Sequence, residues 1–473
     1  YHNCMPVKNY TYYDFTISLC PVCLKRIDAK IIFENDKVFM LKTCGEHGFF
    51  KVLIADDVEY YKSIRNYNKP SEAPLKNNTK TLYGCPYDCG LCEDHEQHSC
   101  LSLVEITDRC NLTCPTCYAM SSPHYGNHRS LEEVEKMFDI IVENEGQPDV
   151  VQISGGEPTI HPQFFEILDI AKKKPIRHLM VNTNGIRIAR DKEFAKRLAG
   201  YMPDFEIYLQ WDSFKPTALE TLRGKDLSEE RKKAIEHLNE LNLSTTLVVT
   251  LQRGLNDDEI GAVIDFALKQ RCVRGVTFQP TQIAGRLNNF DTAINRITLT
   301  EVRNEILKQA PLFTPHDLVP VPCNPDALVM GYALKLNGNV IPLTRYIDPA
   351  VLLDNSRRNT IIYEQDAGLH EQLLKIFSTG ISVDRVDENM KQLLCCLPEI
   401  YAPGLSYENL FRIIIMRFID AWDFDVRSIK KSCVHIVNKD GRMIPFETMN
   451  LFYRDDKEQY VKQLQKEIKP ISV

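Results

Sequence analysis

The sequence lacks the features that usually mark a membrane-spanning or nucleic-acid-binding protein. It contains no run of about eighteen apolar residues, so no transmembrane helix is predicted. Acidic residues outnumber basic ones, 64 against 57, and the net charge of −7 offers no general attraction for nucleic acid. We find no secretory signal and no repeat of solenoid length. With 44% hydrophobic residues among 473, the chain can form several globular domains.

Cysteine, by contrast, is abundant, with 16 residues in the chain. Disulfide-rich secreted proteins are usually small and use disulfides to make up for a small core, whereas this chain has ample apolar sequence. Most of the cysteines also stand in short clusters whose spacing is typical of metal ligands. The sequence therefore predicts metal binding rather than disulfides, in a reducing cytoplasm.

One cluster, Cys110-Asn-Leu-Thr-Cys114-Pro-Thr-Cys117, can hold three irons of a [4Fe–4S] cluster and leave the fourth iron open. A turn of sequence Ser-Gly-Gly-Glu-Pro follows at residues 154–158. The two motifs together resemble those of the radical S-adenosylmethionine (SAM) superfamily. The resemblance implies that SAM binds the open iron, and that one electron splits it into methionine and a 5′-deoxyadenosyl radical.

The positions of the loops predict a SAM pocket built from this turn and from the ends of later strands. The two glycines allow close backbone approach, and the glutamate lies beside the SAM amino group. Each polar residue at a strand end, taken alone, could equally cap a turn. The predicted cofactor-binding residues are Gly155, Gly156, Glu157, Pro158, Asn184, Gln210, Asp212 and Gln279.

From residue 102 apolar strands alternate with helices. Strands are predicted near 103–107, 150–153, 178–182, 205–211, 244–250 and 274–279, and helices near 162–174, 191–200, 228–241 and 257–269. Ser130 and Glu133 form a capping-box pattern at the start of an earlier helix. Nearly continuous apolar strands separated by helices are typical of parallel sheets. The pattern predicts an α/β fold with a partial (β/α)6 TIM-like barrel, whose ligands gather at the carboxyl ends of the strands.

We predict four regions along the chain. Residues 1–65 form a rubredoxin-like or zinc-ribbon-like domain, and residues 66–101 a linker with an auxiliary cluster. Residues 102–290 form the barrel. Residues 291–473 form a C-terminal region that holds a further cluster.

The N-terminal metal site is predicted from two knuckles, Cys20-Pro-Val-Cys23 and Cys44-Gly-Glu-His47. Knuckles about twenty residues apart can form a tetrahedral site. Cys4 is the alternative to His47 as fourth ligand, and the ligands suit one iron or one zinc ion.

An auxiliary [4Fe–4S] cluster is predicted at Cys85, Cys89 and Cys92, which repeat the spacing of the SAM motif. Cys100 follows closely and can complete the coordination, so no iron stays open; a zinc site is the alternative. His95 and His98, which lie between these cysteines, are predicted to be solvated loop residues.

A third [4Fe–4S] cluster is predicted from Cys323, the pair Cys395 and Cys396, and Cys433. Prolines close to Cys323 and Cys396 suggest rigid turns that could hold ligands. Adjacent cysteines rarely both bind one cluster, so the sequence leaves open which member of the pair is a ligand. Cys272 has no neighbouring cysteine and is predicted to be a buried thiol.

The order of these motifs is similar, over nearly the whole chain, to that of the archaeal tetraether lipid synthases. This resemblance implies a C–C bond-forming enzyme of membrane lipid biosynthesis. It would join the terminal methyl carbons of phytanyl chains in archaeal diether phospholipids, giving tetraether or macrocyclic lipids. A small electron donor such as a ferredoxin is implied as partner. The sequence does not identify the catalytic side chains.

An apolar stretch from Leu405 to Trp422 predicts a helix with Arg412 and Arg417 embedded in it. Such a helix could line a hydrocarbon tunnel or contact a membrane peripherally, or could pack in the core. Two other functions stay open: a radical SAM methylase of a pterin or similar small heterocycle, and a non-catalytic iron–sulfur electron-transfer or sensor protein. The complete Gly-Gly-Glu turn argues against the second.

Overall fold

The computed structural model describes residues 8–70, 72–336, 338–345, 407–454 and 457–470. Cys4, Cys395 and Cys396 lie outside the described residues, so the predictions for these three cysteines stay predictions. No helix in the described ranges is long and apolar enough to span a bilayer.

The N-terminal module is a four-stranded antiparallel sheet whose strands pair in chain order. It contains β1 (Thr11–Leu19), β2 (Arg26–Glu34), β3 (Lys37–Cys44) and β4 (Gly48–Ala55), and a short helix follows, α1 (Val58–Ser63). Because hairpins alternate in direction, the β1–β2 and β3–β4 turns lie at the same end of the sheet. These turns carry the two predicted metal-binding knuckles.

The central part of the chain alternates strands and helices, as predicted. In chain order the elements are β5 (Leu101–Glu105), β6 (Thr116–Cys117), α2 (Leu131–Glu145), β7 (Val150–Ser154), α3 (Phe164–Lys173), β8 (His178–Thr183), α4 (Ile186–Arg190), α5 (Lys192–Ala199), β9 (Phe205–Gln210), α6 (Pro216–Arg223), α7 (Ser228–Leu241), β10 (Thr245–Leu251), α8 (Ile260–Lys269) and β11 (Val273–Pro280). Strand β5 and strands β7 to β11 pair side by side and in parallel. These six strands confirm the predicted α/β fold.

Helix α2 begins where the sequence predicted. Ser130 accepts a hydrogen bond from the backbone N–H of Glu133, and the Glu133 carboxylate accepts one from the Ser130 backbone N–H. Two donors that the helix itself leaves unpaired are thereby satisfied, which confirms the capping box. Val134, Phe138 and Ile141 form the buried face of this helix.

The C-terminal part of the chain extends the barrel sheet at both edges. Its elements are β12 (Arg286–Leu287), α9 (Leu299–Gln309), β13 (Val319–Pro320), β14 (Leu328–Leu336), β15 (Asn339–Pro342), β16 (Leu410–Met416), α10 (Val426–Lys430), β17 (Val434–Val437), β18 (Met443–Pro445), α11 (Phe446–Thr448) and α12 (Lys457–Lys466). Strand β16 runs parallel to β11, and β17 runs parallel to β5. The sheet therefore continues past both ends of the predicted six strands.

The predicted helix between Leu405 and Trp422 is wrong, because its central part is strand β16. Three consecutive isoleucines, at 413–415, favour an extended backbone, since β-branched side chains pack well in a sheet. Strand β16 lies between β11 and β14 and is buried there. Arg412 turns into the barrel, where it pairs with Glu206 at 2.6 Å, so it does not face a membrane surface.

Candidate active site

A cavity opens at the carboxyl ends of the barrel strands, where the loops after β5, β7 and β8 meet. It encloses about 1270 Å³ of empty space, its open mouth included. Most of the residues predicted for the SAM site line this cavity. They are Cys110, Cys114, Cys117, Gly155, Gly156, Glu157, Asn184, Gln210 and Gln279.

The loop after β5 presents three thiols to the cavity. Cys110 and Cys114 are buried, and Cys117 is half-buried. Burial raises the pKa of Cys110 and Cys114, so we expect iron binding to drive their deprotonation. Among the described residues that line the cavity, these three are the cysteines. This donor set fits three irons of a [4Fe–4S] cluster and leaves the fourth iron open to the cavity.

The Gly-Gly-Glu turn lies directly against the start of the cysteine loop. The backbone N–H of Gly156 donates to the carbonyl oxygen of Thr107 at 2.8 Å, and that of Glu157 donates to the carbonyl oxygen of Arg109 at 2.9 Å. A Cβ on Gly155 would overlap the Thr107 carbonyl oxygen, and one on Gly156 would overlap that of Arg109. Gly155 also has a φ of 131°. Only glycine lets these two loops lie so close.

Glu157 connects the turn after β7 to the end of β8. Its carboxylate accepts hydrogen bonds from the Thr159 hydroxyl at 2.6 Å, the Thr183 hydroxyl at 2.7 Å and the backbone N–H of Asn184 at 2.8 Å. Burial raises its pKa, although these donors favour the ionised form. Pro158 begins a short helical turn behind Glu157 and is not among the residues that line the cavity.

Asp212 was predicted to bind the cofactor, but it is not among the residues that line the cavity. Two arginines enclose it instead. Its carboxylate is fully buried and accepts hydrogen bonds from Arg223 at 2.7 and 2.8 Å and from Arg231 at 2.7 Å. Although burial opposes its ionisation, the two arginines hold the pKa of Asp212 well below its usual range. Since its oxygens are occupied, Asp212 orients Arg223, and it is Arg223 that lines the cavity.

The N-terminal knuckles bring Cys20, Cys23, Cys44 and His47 together. His47 Nδ1 lies 3.6 Å from Cys20 Sγ and 3.5 Å from Cys44 Sγ, and the sulfurs of Cys23 and Cys44 are 3.8 Å apart. A tetrahedral ion with metal–sulfur bonds of about 2.3 Å places its ligands about 3.8 Å apart. The four side chains therefore fit one metal ion. The hydrogen bond from His47 lowers the pKa of Cys44 to about 6.

Cys85, Cys89 and Cys92 also lie near one another. The adjacent Cys89 thiol and burial both raise the pKa of Cys85 well above its ordinary value, and Cys92 adds to this effect. The Thr448 hydroxyl lies 2.9 Å from the Cys89 sulfur. Cys85, Cys89 and Cys92 therefore form a candidate metal centre, as the sequence predicted for these three residues.

Cys100 does not join them. Its sulfur lies within 4.8 Å of those of Cys323 and Cys433, whose sulfurs are 3.6 Å apart. The sheet explains this placement: Leu101 opens β5, Val434 opens β17, and the two residues are paired across parallel strands. The cysteines just before them are therefore neighbours. The sequence missed this group because the pairing joins residues more than three hundred positions apart.

His95 and His98 are buried, contrary to the prediction that they are solvated. His95 Nε2 lies 2.8 Å from the carbonyl oxygen of Ser432, and burial lowers the pKa of His95 to about 4. His98 Nδ1 lies 2.8 Å from a Glu145 carboxylate oxygen, and its Nε2 lies 3.6 Å from the Cys100 sulfur. Both histidines thus support the segment that carries Cys100.

A second cavity continues from the first toward the amino ends of the strands. The two share Leu101, Gln152, Tyr208, Met416 and Val434, so they are adjacent inside the barrel. The inner cavity encloses about 880 Å³ of empty space and has a mostly apolar wall. The group formed by Cys100, Cys323 and Cys433 belongs to this wall.

The polar residues that line the first cavity and were not predicted from the sequence include Gln152, Asn182, Tyr208 and Arg223. The first three lie on strands whose apolar neighbours dominate the pattern. Alternation along each strand could have identified them, because every second residue of a barrel strand faces the interior.

Two known families match parts of this chain. A family model described as the radical SAM superfamily matches residues 104–267. A second, described as the HMPTM N-terminal zinc ribbon domain, matches residues 12–56. The two matches fall on the barrel and on the N-terminal sheet.

Similar proteins cover different shares of the chain. A 7,8-dihydro-6-hydroxymethylpterin dimethyltransferase from Methanocaldococcus jannaschii is 31% identical over 488 residues, covering 94% of this chain and 94% of that protein. A GTP 3′,8-cyclase from Alkaliphilus oremlandii is 32% identical over 185 residues, or 37% of this chain and 55% of the cyclase. A crystal structure of Streptococcus suis SuiB bound to S-adenosylmethionine aligns with a TM-score of 0.37 and 16% identity, over 45% of this chain and 49% of that one.

Proposed function

This chain is a radical SAM enzyme and belongs to the family of the Methanocaldococcus 7,8-dihydro-6-hydroxymethylpterin dimethyltransferase, and we propose on that basis that it methylates a reduced pterin. The observation that carries the proposal is the length of the similarity, which includes the zinc ribbon, the barrel and the C-terminal region. A likeness confined to the barrel would support SAM chemistry alone.

The expectation of a tetraether lipid synthase is contradicted by this relative, whose name describes methyl transfer to a pterin. That expectation rested on the order of the cysteine motifs. A relative whose name describes a different activity aligns with 94% of this chain, so the order of the motifs does not identify a lipid synthase. The central part of the apolar stretch cited for lipid contact is a strand of the barrel sheet. The pterin methylase, weighed above as an alternative, takes its place.

One SAM, bound at the cluster and cleaved with one electron, would supply a 5′-deoxyadenosyl radical that removes hydrogen from a carbon of the pterin, leaving methionine and deoxyadenosine. With a second SAM as methyl donor, the methyl group would go to that carbon, S-adenosylhomocysteine would leave, and one further electron would complete the balance. The thiols of Cys110, Cys114 and Cys117 would hold the cluster. The Gly155–Gly156 turn keeps the backbone close to that loop, and the amide-lined cavity beneath it would receive a flat heterocycle. Sheltering the radical inside the barrel would keep it from water.

We assign the remaining metal sites by their donors. The ribbon ligands Cys20, Cys23, Cys44 and His47 would hold zinc. The groups at residues 85–92 and at Cys100, Cys323 and Cys433 would hold auxiliary iron–sulfur centres that pass electrons. A small reductant protein such as a ferredoxin would supply those electrons.

The test uses the anaerobically reconstituted full chain with 7,8-dihydro-6-hydroxymethylpterin, SAM and dithionite. We expect deoxyadenosine together with a pterin that is heavier by one or two methyl groups, both seen by mass spectrometry. Cys114→Ala should form neither product. SAM labelled in its methyl group reports whether that group is transferred.

Two results would contradict the proposal. Deoxyadenosine formed while the pterin stays unchanged would remove the pterin as substrate. Fully loaded protein that forms no deoxyadenosine at all would favour the non-catalytic electron-transfer or sensor alternative.

A further inference from the structure

Two phenylalanines from opposite edges of the barrel sheet meet at the wall of the first cavity. Phe418 follows β16, which lies beyond β11, and Phe446 follows β18, which lies beyond β5. Their ring centroids are 4.0 Å apart, with 32° between the ring planes. Both residues line the cavity that the thiols of the SAM motif also line.

The Phe418 ring keeps accessible surface, whereas its neighbours do not. Phe446 is only 6% exposed and Ile419 only 2%, but Phe418 is half-buried. At this short centroid distance and small tilt, Phe446 covers one face of the Phe418 ring. The accessible part of the ring therefore lies away from Phe446. Because Phe418 lines the cavity, a ligand there can contact this surface.

Hydrogen bonds fix the backbone on both sides of Phe418. The backbone N–H of Arg417 donates to the carbonyl oxygen of Ala327 at 2.9 Å. The side-chain amide of Gln282 donates to the carbonyl oxygen of Ile419 at 3.0 Å. The segment that carries the ring is thus held in place before a ligand arrives, and a preorganised contact costs less entropy on binding.

A third ring extends this wall to the SAM motif. Tyr118, the residue after Cys117, is half-buried and lines the same cavity. Its ring lies edge-on to that of Phe446, with centroids 4.9 Å apart and 64° between the planes. Tyr118, Phe446 and Phe418 together form an aromatic wall that begins at the cysteine loop. A ligand placed against it lies next to the SAM site.

An accessible aromatic face gains most from a flat partner. Two stacked rings contact each other over their faces, and removing the aromatic side chain from such a pair commonly weakens binding by about tenfold or more. An aliphatic ligand, by contrast, gains about as much from leucine as from phenylalanine. The aromatic wall therefore suits a planar heterocycle.

We propose that Phe418 stacks against the flat ring system of the substrate, with Phe446 and Tyr118 completing the aromatic wall. In a 7,8-dihydropterin the flat part is the pyrimidine ring with the C=N bond conjugated to it. The inference rests on the proposed function and adds the residue that selects a planar substrate. Phe418 takes part in no bond-breaking step and is a specificity residue.

The adenine of SAM is also a flat ring, but the aromatic wall lies mostly outside the part of the chain that serves SAM. The radical SAM family model matches residues 104–267, which include the cysteine loop and the Gly-Gly-Glu turn. Phe418 and Phe446 belong to the C-terminal region instead. SAM affinity should therefore not depend on Phe418.

The test measures binding of 7,8-dihydro-6-hydroxymethylpterin by calorimetry to the reconstituted, non-reduced full chain with SAM present. Phe418→Leu keeps an apolar side chain but removes the flat face. It should bind the pterin about tenfold more weakly than the wild type. Phe418→Tyr keeps the ring and should retain the wild-type affinity. The dissociation constant of SAM, measured separately, should be unchanged in both variants.

Phe424→Leu is the matched control. Phe424 lies further along the same segment, is 0% exposed and is not among the residues that line the cavity. This variant should bind the pterin as the wild type does. Iron content and the unfolding midpoint report folding and cluster loading. Phe418→Leu should lose less stability than Phe424→Leu, because less of its ring is buried.

The failures can be told apart. A wild type that neither binds nor methylates the pterin overturns the proposed function and this inference together. A wild type that binds and methylates the pterin, while Phe418→Leu keeps the wild-type affinity, overturns the stacking site alone. The stacking site is also overturned if Phe418→Leu weakens SAM rather than the pterin, weakens the pterin no more than Phe424→Leu does, or fails to load iron.

Discussion

Arg223 and Asp212 form a buried ion pair with two hydrogen bonds, from Nε to Oδ2 at 2.7 Å and from Nη2 to Oδ1 at 2.8 Å. Arg231 donates to the same carboxylate. Asp212 has a φ of 59°, a conformation that Asp and Asn adopt more readily than most residues. Because Arg223 also lines the cavity, the pair fixes a cation beside the cysteine loop.

We expect Asp212→Asn to destabilise the protein strongly. The substitution keeps the size and the backbone preference but leaves two buried guanidinium groups without a counter-charge, at a cost of about 3–5 kcal/mol. The free energy of unfolding, measured by chemical denaturation, reports this loss. Asp258→Asn is the control, since its pair with Lys215 is exposed and should contribute little. Equal effects of the two substitutions would contradict the importance of the buried pair.

Gly156→Ala should abolish SAM binding. Its methyl group would overlap the backbone oxygen of Arg109, and backbone cannot move aside as a flexible side chain can. The turn would shift away from the cysteine loop. Equilibrium dialysis with SAM and the yield of deoxyadenosine measure the result. Gly45→Ala is the matched control, because a Cβ there meets nothing within 4 Å. A Gly156→Ala variant that binds SAM normally would refute the close approach.

Local features of the fold could be predicted from the sequence, because short-range chemistry determines them. The spacing of Cys110, Cys114 and Cys117 and the capping box at Ser130 are read within a few residues. The six strands can be recognised as short apolar segments, and the helices between them indicate that they pair in parallel. The structure confirms the fold that these features predict.

Long-range pairings could not be predicted in this way. The apolar segment around Ile414 is compatible with a buried helix or a buried strand, and only its place between β11 and β14 decides which. Cys100 lies eight residues after Cys92, so proximity in the chain suggested a shared cluster. The pairing of β5 with β17 instead places it beside Cys433. The position of Asp212 at the end of a strand predicts that it binds a ligand. Nothing in the neighbouring sequence predicts that Arg223 and Arg231 bind its carboxylate instead.

Cys100→Ala tests this regrouping. We expect the variant to lose the metal held with Cys323 and Cys433, while the centre formed by Cys85, Cys89 and Cys92 stays loaded. Iron content together with Mössbauer or EPR spectra of the reconstituted protein distinguishes the two centres. Cys92→Ala should lose the other signal. If both variants lose the same signal, Cys100 belongs with residues 85–92 and the grouping seen in the structure is wrong.

Glu447 should make stability depend on pH. Its carboxyl is buried beside the Ser432 hydroxyl, 2.9 Å away, and burial raises its pKa to about 7 from an ordinary value of 4.5. Between these two values the folded protein binds more protons than the unfolded chain. The contribution of Glu447 to stability is therefore full below about pH 4.5 and falls as the pH rises to about 7.

Glu447→Gln, which cannot ionise, should remove this dependence. Unfolding midpoints of wild type and variant, compared at about pH 5 and about pH 8, measure it: the wild type should lose stability relative to the variant on going to the higher pH. Glu59→Gln, on the exposed face of α1, should leave the wild-type pH dependence unchanged. If Glu447→Gln and wild type follow parallel pH curves, the Glu447 carboxyl ionises near its ordinary pKa, and its burial is compensated by groups other than Ser432.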